Sequence, residues 1–281
     1  MSGPGKLGLA SSLREHRSHA LDTVRAAAGR PTHRDWAGAA WRQFRLERRM
    51  FWRNPTAAFF GFLLPLLLLA MFGAVFSGEQ DQLDVVVPGI AGMSVMAATF
   101  VALAYNLTFL RERGILKRLR GTPLPSSAYL AGIAANAIAN TVVQVAVVVL
   151  AGRLFFGIPW PGDWFAMFVF LAAGVVCFAS LGVALSHAIP NSESAPAYVN
   201  AVFLPMIMLA GVFYDDDDAP AVLRDLAEAM PLKHLIDGLS GAMVHGEGLA
   251  DHMVALAALC LWAGVGVVLA VRGFSWEARR S

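Results

Sequence analysis

The polar side chains that could do chemistry within the apolar parts of this sequence are mainly amides. Asn136, Asn140 and Gln144 recur every four residues, so they share one face of a predicted helix. Amides on a membrane helix most often hydrogen-bond to a neighbouring helix, but they can also line a polar path for a transported molecule. The spacing favours interhelical hydrogen bonding and leaves the second interpretation open.

Residue groups typical of enzymes are missing from the sequence. Its seven histidines include no His-Glu-x-x-His pair, and no Gly-x-x-x-x-Gly-Lys-Ser/Thr loop occurs that would cradle the phosphates of ATP. A lipid-modifying enzyme stays an alternative, because His234, His245 and His252 lie near carboxylates. A scaffold that recruits a partner without transport is a second alternative. We expect no catalytic residue, no cofactor and no metal site in this chain.

The amides lie on one of six long stretches that contain no Asp, Glu, Lys or Arg. Hydrophobic residues make up 57% of the chain and charged residues 15%, and the mean hydropathy is +0.57. Each stretch is long enough to span a bilayer, which takes about 20 helical residues. The pattern predicts an all-α integral membrane protein with six transmembrane helices and argues against an acidic proton relay. The predicted spans are 57–76, 85–110, 130–150, 164–189, 195–214 and 253–271.

Basic residues are concentrated in alternate segments between these stretches. Of the 22 Lys and Arg residues, nineteen lie before residue 57, between 111 and 129, or after 271. By the positive-inside rule, these segments and both termini are expected on the cytoplasmic side of a bacterial plasma membrane. The first stretch begins behind a long basic arm, so we expect it to act as an anchor rather than as a cleaved signal peptide.

Aromatic and basic residues recur at helical spacing just before the first span. This pattern predicts an amphipathic helix over 35–53 in the cytoplasmic interface, with Arg side chains near lipid phosphates. A basic patch that only fixes topology would leave the three Trp residues unexplained. The residues expected to carry this role are Trp36, Trp41, Phe44, Arg45, Arg48 and Trp52. We further expect a flexible cytoplasmic tail over 1–34, one transmembrane domain over 35–276 and a short cytoplasmic tail over 277–281.

The cytoplasmic loop between the second and third spans carries the most specific pattern. Residues 111–125 read Arg-Glu-Arg-Gly-Ile-Leu-Lys-Arg-Leu-Arg-Gly-Thr-Pro-Leu-Pro. This segment resembles the loop of ABC-2-type transporter permeases, Arg-Glu-x-Gly-Thr-(Leu)-Lys-Arg-Leu-x-x-Thr-Pro-Leu, and departs from it at Ile115 and mildly at Gly121. The resemblance implies that the loop contacts an ATPase subunit. The residues expected to do so are Arg111, Glu112, Arg113, Gly114, Leu116, Lys117, Arg118, Leu119 and Pro123.

Residues 211–243 resemble the outer re-entrant segment that precedes the last span in the same family. Apolar residues at helical spacing predict two short helices here, one with Pro220 suited to its first turn and a second one after Pro231. The family usually has a Pro near the start of this segment, whereas this chain has the four carboxylates Asp215 to Asp218. A solvated acidic loop is favoured there over a cation site.

The resemblance covers roughly residues 36–276 and implies a membrane-spanning permease subunit of an ATP-binding cassette exporter. Within the family the chain looks most like the daunorubicin-type drug-resistance exporters of actinobacteria. Such a permease forms a homodimer and pairs with a separate cytoplasmic ATPase, which binds ATP and Mg. The implied substrate is drug-like or otherwise hydrophobic or amphiphilic, and the alternative is a lipid, a polysaccharide or a secondary metabolite. No nucleic acid partner is implied.

The family builds its translocation path mainly from the first, second and fifth spans at the dimer interface. In this chain the resemblance therefore implies a lining of aromatic, Met and amide side chains, which would accept varied apolar substrates. The residues it points to are Thr99, Tyr105, Asn106, Tyr198, Asn200, Phe203, Met206 and Met208.

Overall fold

The computed structural model describes residues 33–273, apart from residues 54 and 77 and the segments 116–125 and 213–219. All regular elements in this part of the chain are helical, as predicted. The helices are α1 (His33–Arg53), α2 (Pro55–Val75), α3 (Gln80–Met96), α4 (Ala102–Glu112), α5 (Ser126–Phe156), α6 (Trp164–Ala188), α7 (Ala195–Leu209), α8 (Ala221–Glu228), α9 (Pro231–Ser240) and α10 (Met253–Gly273). Two π-helical segments, Ala97–Val101 and Gly241–His245, join α3 to α4 and extend α9.

Four helical segments among the described residues are long and apolar enough to cross a membrane, judged by length and composition. They are Asp81–Glu112, Ala131–Phe156, Trp164–Ala188 and Met253–Arg272. The apolar helical segments Gly61–Val75 and Ala195–Leu209 are shorter. At 1.5 Å per residue, the 15 residues of α7 extend roughly 22 Å, less than the hydrocarbon thickness of about 30 Å, whereas the 21 residues of α2 (Pro55–Val75) extend roughly 31 Å. The membrane character of the chain is therefore confirmed, and the count of six spans stays a prediction.

The ends of the helices follow local backbone chemistry rather than hydropathy alone. Helix α6 begins where Asp163 accepts hydrogen bonds from the backbone N–H groups of Phe165 and Ala166 at 2.8 and 3.0 Å. Helix α5 continues to Phe156, beyond the predicted end at 150, and stops before Gly157, whose φ of +70° closes helices at little cost. Helix α7 ends at Leu209, earlier than the predicted limit of 214.

The centre of the helical bundle is formed around α9. Leu232, Leu235 and Leu239 on this short helix are fully buried against α3, α6 and α10. Gly174 on α6 makes room for Leu235, because a Cβ there would lie 2.8 Å from its methyl carbons. The two short helices expected after the fifth span are thus present, at Ala221–Glu228 and Pro231–Ser240. Their insertion into the outer leaflet stays a prediction.

Helix α1 lies along α5 and brings the segment before the first span into the fold. Ala39 and Gln43 are buried in this contact, whereas Trp41 and Trp52 are exposed. Gly132 on α5 permits the close approach, since a Cβ at this position would meet the Cβ of Gln43 at 2.5 Å. The predicted amphipathic helix is present, with one face on α5 and an aromatic and basic face outside.

Candidate functional site

A cavity of about 800 Å³ lies among α1, α2, α4, α5, the first π-helical segment and the start of α7. Its volume falls in the range of about 300–1,000 Å³ that is typical of small-molecule sites. Two smaller apolar concavities in the described part of the chain have volumes of about 370 and 200 Å³. The residues that line the large cavity are Glu47, Phe51, Gly61, Phe62, Ala97, Ala98, Ala102, Leu103, Tyr105, Asn106, Phe109, Ile133, Asn136, Ala137, Asn140, Gln144, Ser192 and Ala195.

The amide stripe on α5 forms one wall of this cavity. Asn140 Oδ1 accepts a hydrogen bond from Arg48 Nη1 on α1 at 2.7 Å, and Gln144 Nε2 donates to the Gly61 carbonyl on α2 at 2.8 Å. Asn136 Oδ1 is buried and has no hydrogen-bond partner among the described residues. Two of the three amides therefore join helices, as the spacing favoured, while all three face the cavity. Asn136 keeps an acceptor available for an occupant.

Glu47 is the charged residue among those that line the cavity. The side chain is half-buried, and Gln43 Nε2, one turn earlier on α1, donates to its Oε1 at 2.7 Å. Burial raises the pKa of the Glu47 carboxyl above its usual value of 4.5, while the Gln43 hydrogen bond opposes this shift. The wall formed by α1 thus presents a carboxylate whose loss of hydration is only partly offset by the Gln43 hydrogen bond.

The π-helical segment gives the cavity its small-residue wall. Ala97 and Ala98 in this segment and Ala102 just after it line the space without filling it. Gly182 on α6 lets the backbone of Phe100 approach, because a Cβ at Gly182 would lie 2.6 Å from the Phe100 carbonyl oxygen. π-helical segments often occur at functional sites, and this one lies where the longest apolar helix meets the cavity.

The structure brings only part of the predicted translocation path together. Tyr105 and Asn106 line the cavity. Thr99 is buried and donates to the Val95 carbonyl at 2.6 Å. The residues implied on α7 do not line this cavity: Met206 is buried, Phe203 is partly buried against the core, and the remaining side chains are exposed. Those exposed residues are Tyr198, Asn200 and Met208.

Several cavity residues had no part in the sequence-based prediction. Glu47, Phe51 and Phe62 belong to α1 and α2, and Ser192 belongs to the turn between α6 and α7. A signal for Glu47 was present in the sequence, since it is the one acidic residue between Trp36 and the end of α1. No periodic pattern marks Ser192, which reaches the cavity only through tertiary packing.

The residues predicted for an interfacial helix lie mainly on the outer side of α1. The Arg45 guanidinium lies 5.7 Å from the centre of the Trp41 ring, and the Arg48 guanidinium lies 5.8 Å from that of Trp52. Such stacking of guanidinium on indole holds charge and aromatic surface together at a polar boundary. The other predicted residues are the exposed Trp36 and the half-buried Phe44.

The predicted ATPase-contacting residues separate into two groups where they are described. Arg111 is buried and its Nη2 donates to the Ile189 carbonyl, and Glu112 Oε2 accepts from the Ser192 N–H at 2.9 Å. Both therefore join the end of α4 to the turn between α6 and α7. Arg113 is exposed over the Phe109 ring at 4.1 Å, and Gly114 follows it. Outside the described residues lie Leu116, Lys117, Arg118, Leu119 and Pro123.

The histidines near the predicted outer face make separate polar contacts. His252 Nε2 lies 2.6 Å from Glu247 Oε2, and His234 Nε2 lies 2.9 Å from the Glu228 carbonyl. Within the described residues, no group of three or more His, Cys, Asp or Glu side chains is arranged to hold a metal ion. His245 is exposed beside this region and lines no cavity described above.

The bundle of apolar helices and the mixed polar and aromatic cavity define a polytopic α-helical membrane protein. The sequence pattern of the ABC-2 type transporter family matches residues 38–244, which is most of the chain. The chain therefore belongs to the ABC-2 type transporter family, whose members are the permease subunits of ATP-binding cassette transporters.

Curated relatives share this assignment at low sequence identity. The chain is 27% identical over 264 residues to the daunorubicin resistance ABC transporter permease protein DrrB1 of Streptomyces coeruleorubidus, covering 89% of each chain. It is 24% identical to nodulation protein J of Sinorhizobium fredii, over 83% of this chain and 90% of that one. It is 22% identical to the linearmycin resistance permease protein LnrN of Bacillus subtilis, over 62% of this chain and 47% of that one.

Proposed function

We propose that this chain is the permease subunit of an ATP-binding cassette exporter that moves a drug-like or other amphiphilic substrate out of the cell. The observation that carries the proposal is the cavity of about 800 Å³, which combines amides, aromatic rings and one carboxylate on the walls of apolar helices. A lining of this kind accepts an apolar body and orients it through a few polar contacts. Two of the relatives described above are named for drug resistance, which supports the drug-like substrate.

The working transporter is proposed as two copies of this chain with separate ATPase subunits. Each copy would span a bacterial plasma membrane six times, with both termini and the 111–125 loop in the cytoplasm, as the Lys and Arg distribution predicts. The proposed transmembrane domain covers 35–276, and α8 and α9 form the outer re-entrant pair. ATP and Mg would be bound by the ATPase subunits, because the sequence has no phosphate-binding loop.

Movement of the ATPase would reach the cavity along two routes. One is the 111–125 loop, whose described end is joined to the α6–α7 turn by Arg111 and Glu112. The other is α1, which touches α5 and places Glu47 and Phe51 in the cavity wall. Because both routes end at cavity-lining residues, a shift on the cytoplasmic side would alter the shape of the cavity.

The experiment reconstitutes the chain with its cognate ATPase in lipid vesicles and follows ATP-driven transport of fluorescent amphiphiles of different charge. We expect transport that needs both subunits and ATP, with dye-stimulated ATP hydrolysis. Arg113→Glu should lower this stimulation, since Arg113 is exposed in the described part of the proposed docking loop. Arg224→Glu, an exposed Arg on α8 at the predicted outer side, is the matched control and should behave as the wild type. The proposal would be wrong if the complete complex moved no dye and the rate of ATP hydrolysis were the same with and without the permease.

Export of a lipid, polysaccharide or secondary metabolite is the second candidate. The similarity to nodulation protein J covers nearly the whole of both chains, and that name carries no reference to drug resistance. A substrate panel separates the two candidates: a drug exporter moves structurally varied dyes, whereas a dedicated exporter has its ATP hydrolysis stimulated by one substrate and by none of the dyes.

A further inference from the structure

We infer that the cavity selects amphipathic organic cations and that the Glu47 carboxylate is the counter-ion of the bound ammonium group. This inference rests on the proposed function, because it names the class of substrate for the same cavity. Its physical basis is the presence of a carboxylate in a cavity wall that lacks any basic side chain among the described residues.

The sequence of α1 keeps its own arginines away from Glu47. Helical neighbours lie three and four positions apart, and for Glu47 these are Gln43, Phe44, Met50 and Phe51. None of them is basic, although α1 contains five Arg residues after Trp36. The next residue, Arg48, points to Asn140 on α5 and to the ring of Trp52. Within the described part of the chain, no Lys or Arg forms an ion pair with Glu47.

Burying a carboxylate without a counter-ion is unfavourable, so an occupant that supplies positive charge is stabilised at this position. Gln43 donates one hydrogen bond to Oε1, which leaves acceptor capacity on the carboxylate for an ammonium group. The buried Asn136 Oδ1, which no described residue contacts by a hydrogen bond, is a second acceptor in the same cavity. An ammonium group has three donors, which suits a cavity that offers more than one acceptor.

The remaining lining suits the apolar part of such a molecule. Phe51, Phe62, Tyr105 and Phe109 contribute aromatic rings, whose faces also attract cations. Phe62 stands between the cavity and a smaller apolar groove of about 370 Å³, because it lines both. The groove is lined further by Trp52, Pro55, Phe59, Leu63 and Leu66. A molecule with a cationic head at Glu47 can therefore extend an apolar tail past Phe62.

The test compares two fluorescent probes that share the dansyl group and the alkyl linker and differ at the terminal amine. Dansylcadaverine carries a primary ammonium group at pH 7.5, and its N-acetylated derivative is neutral. The complex of full chain and ATPase is placed in micelles of dodecyl maltoside, which has neither an amine nor a charge that would concentrate the cationic dye, and binding is followed without ATP by energy transfer from Trp to dansyl. Energy transfer reports dye close to the protein, and micelles without protein provide the background.

We expect the wild type to bind the cationic dye at least about tenfold more tightly than the neutral dye. Glu47→Gln should remove most of this preference, because it deletes the charge-assisted contact while keeping the shape of the side chain. Glu47→Asp should recover part of it. Glu193→Gln removes an exposed carboxylate next to the cavity residue Ser192, so it controls for general electrostatic attraction and should bind both dyes as the wild type does.

Equal binding of the two dyes by the wild type, binding of neither, or an unchanged preference in Glu47→Gln would overturn the inference. If Glu47→Gln assembled poorly, the preference would be read from Glu47→Asp and from Asn136→Leu, which removes the second acceptor and should weaken the cationic dye selectively. An ammonium group can also come from a phosphatidylethanolamine headgroup. Competition by this lipid that disappears in Glu47→Gln would confirm ammonium binding and identify a lipid as its source.

The failure of this inference and of the proposed function can be told apart. Binding is measured without ATP, whereas export requires ATP-driven transport by the complete complex. A complex that transports both dyes equally, with or without Glu47→Gln, retains the proposed function and excludes cation selection. A complex that binds the cationic dye through Glu47 but never moves it against a gradient retains the site and excludes export.

Discussion

Arg48 Nη1 donates a 2.7 Å hydrogen bond to Asn140 Oδ1, joining α1 to α5 across 92 positions of sequence. The donor is charged, and charge-assisted hydrogen bonds are stronger than those between neutral groups. Asn140 lines the cavity, so this bond ties the helix before the first span directly to the cavity wall. Any displacement of α1 must therefore stretch the bond or move the wall.

Replacing Arg48 should disturb both packing and coupling. Arg48→Ala removes the donor to Asn140, and we expect a loss of about 1 kcal/mol in stability because the site is only partly buried. Substrate-stimulated ATP hydrolysis should fall several-fold, since α1 would no longer move with α5. Arg49→Ala, which removes the exposed neighbouring Arg, is the control and should change neither the Tm nor the stimulation. Equal effects of the two variants would show that general charge on α1, rather than this bond, matters.

Gly132 should tolerate no side chain, because α1 crosses α5 at this point. A Cβ there would lie 2.5 Å from the Cβ of Gln43, which cannot move away without shifting α1. We expect Gly132→Ala to cost about 1–3 kcal/mol, in the manner of other overpacked cores, and to lower the Tm of the protein in detergent. Gly264→Ala on α10 meets nothing within 4 Å and should leave the Tm unchanged. A stable Gly132→Ala would mean that α1 does not pack on α5 in this way.

The two arginines at the end of α4 should respond differently to replacement. Arg111 is buried and donates to the Ile189 carbonyl, so Arg111→Ala leaves that carbonyl without this donor; we expect a loss of about 1–3 kcal/mol. Arg113 is exposed over Phe109, so Arg113→Ala should keep the Tm close to that of the wild type. Thermal unfolding of both variants in nanodiscs checks this, and similar Tm values for the two would contradict the placement of Arg111.

Glu47 should make stability depend on pH in a defined direction. Burial raises its pKa in the folded protein above 4.5, so the folded state holds the proton more tightly than the unfolded chain. The stabilisation is complete below pH 4.5 and is lost as pH rises through the raised pKa. Glu47→Gln cannot ionise, so we expect its Tm to exceed that of the wild type increasingly as the pH rises above 4.5. A Tm difference that stayed constant with pH would show that the carboxyl is fully solvated.

Much of the fold could be predicted from the sequence because hydropathy and charge are properties of short segments. The apolar stretches correspond to helices, and the amphipathic segment 35–53 corresponds to α1 (His33–Arg53). The π-helical segment Ala97–Val101 could not be predicted, since it depends on the close contact of Phe100 with Gly182 on another helix. The end of α7 at Leu209 could not be predicted from hydropathy either, because the sequence stays apolar after that residue.

The candidate site was predicted less completely than the fold. The amide stripe was found because Asn136, Asn140 and Gln144 share a helix face, and Tyr105 and Asn106 were found through the family resemblance. Glu47 was missed because the basic and aromatic character of its helix suggested only a role at the membrane surface. The role of a carboxylate depends on the groups around it, and the cavity that Glu47 lines is formed with five other helical elements.

The sequence by itself determined that this chain is a helical membrane protein of the ABC-2 type, because apolar length, basic loops and one loop motif are local features. Only the tertiary structure showed that the amides face a cavity shared with Glu47, and that Arg111 and Glu112 are held by the α6–α7 turn. The physical reason is that hydrogen-bond partners and burial arise between helices that are distant in sequence. Residue spacing predicts which face of a helix a side chain occupies, whereas tertiary packing determines which residues that face contacts.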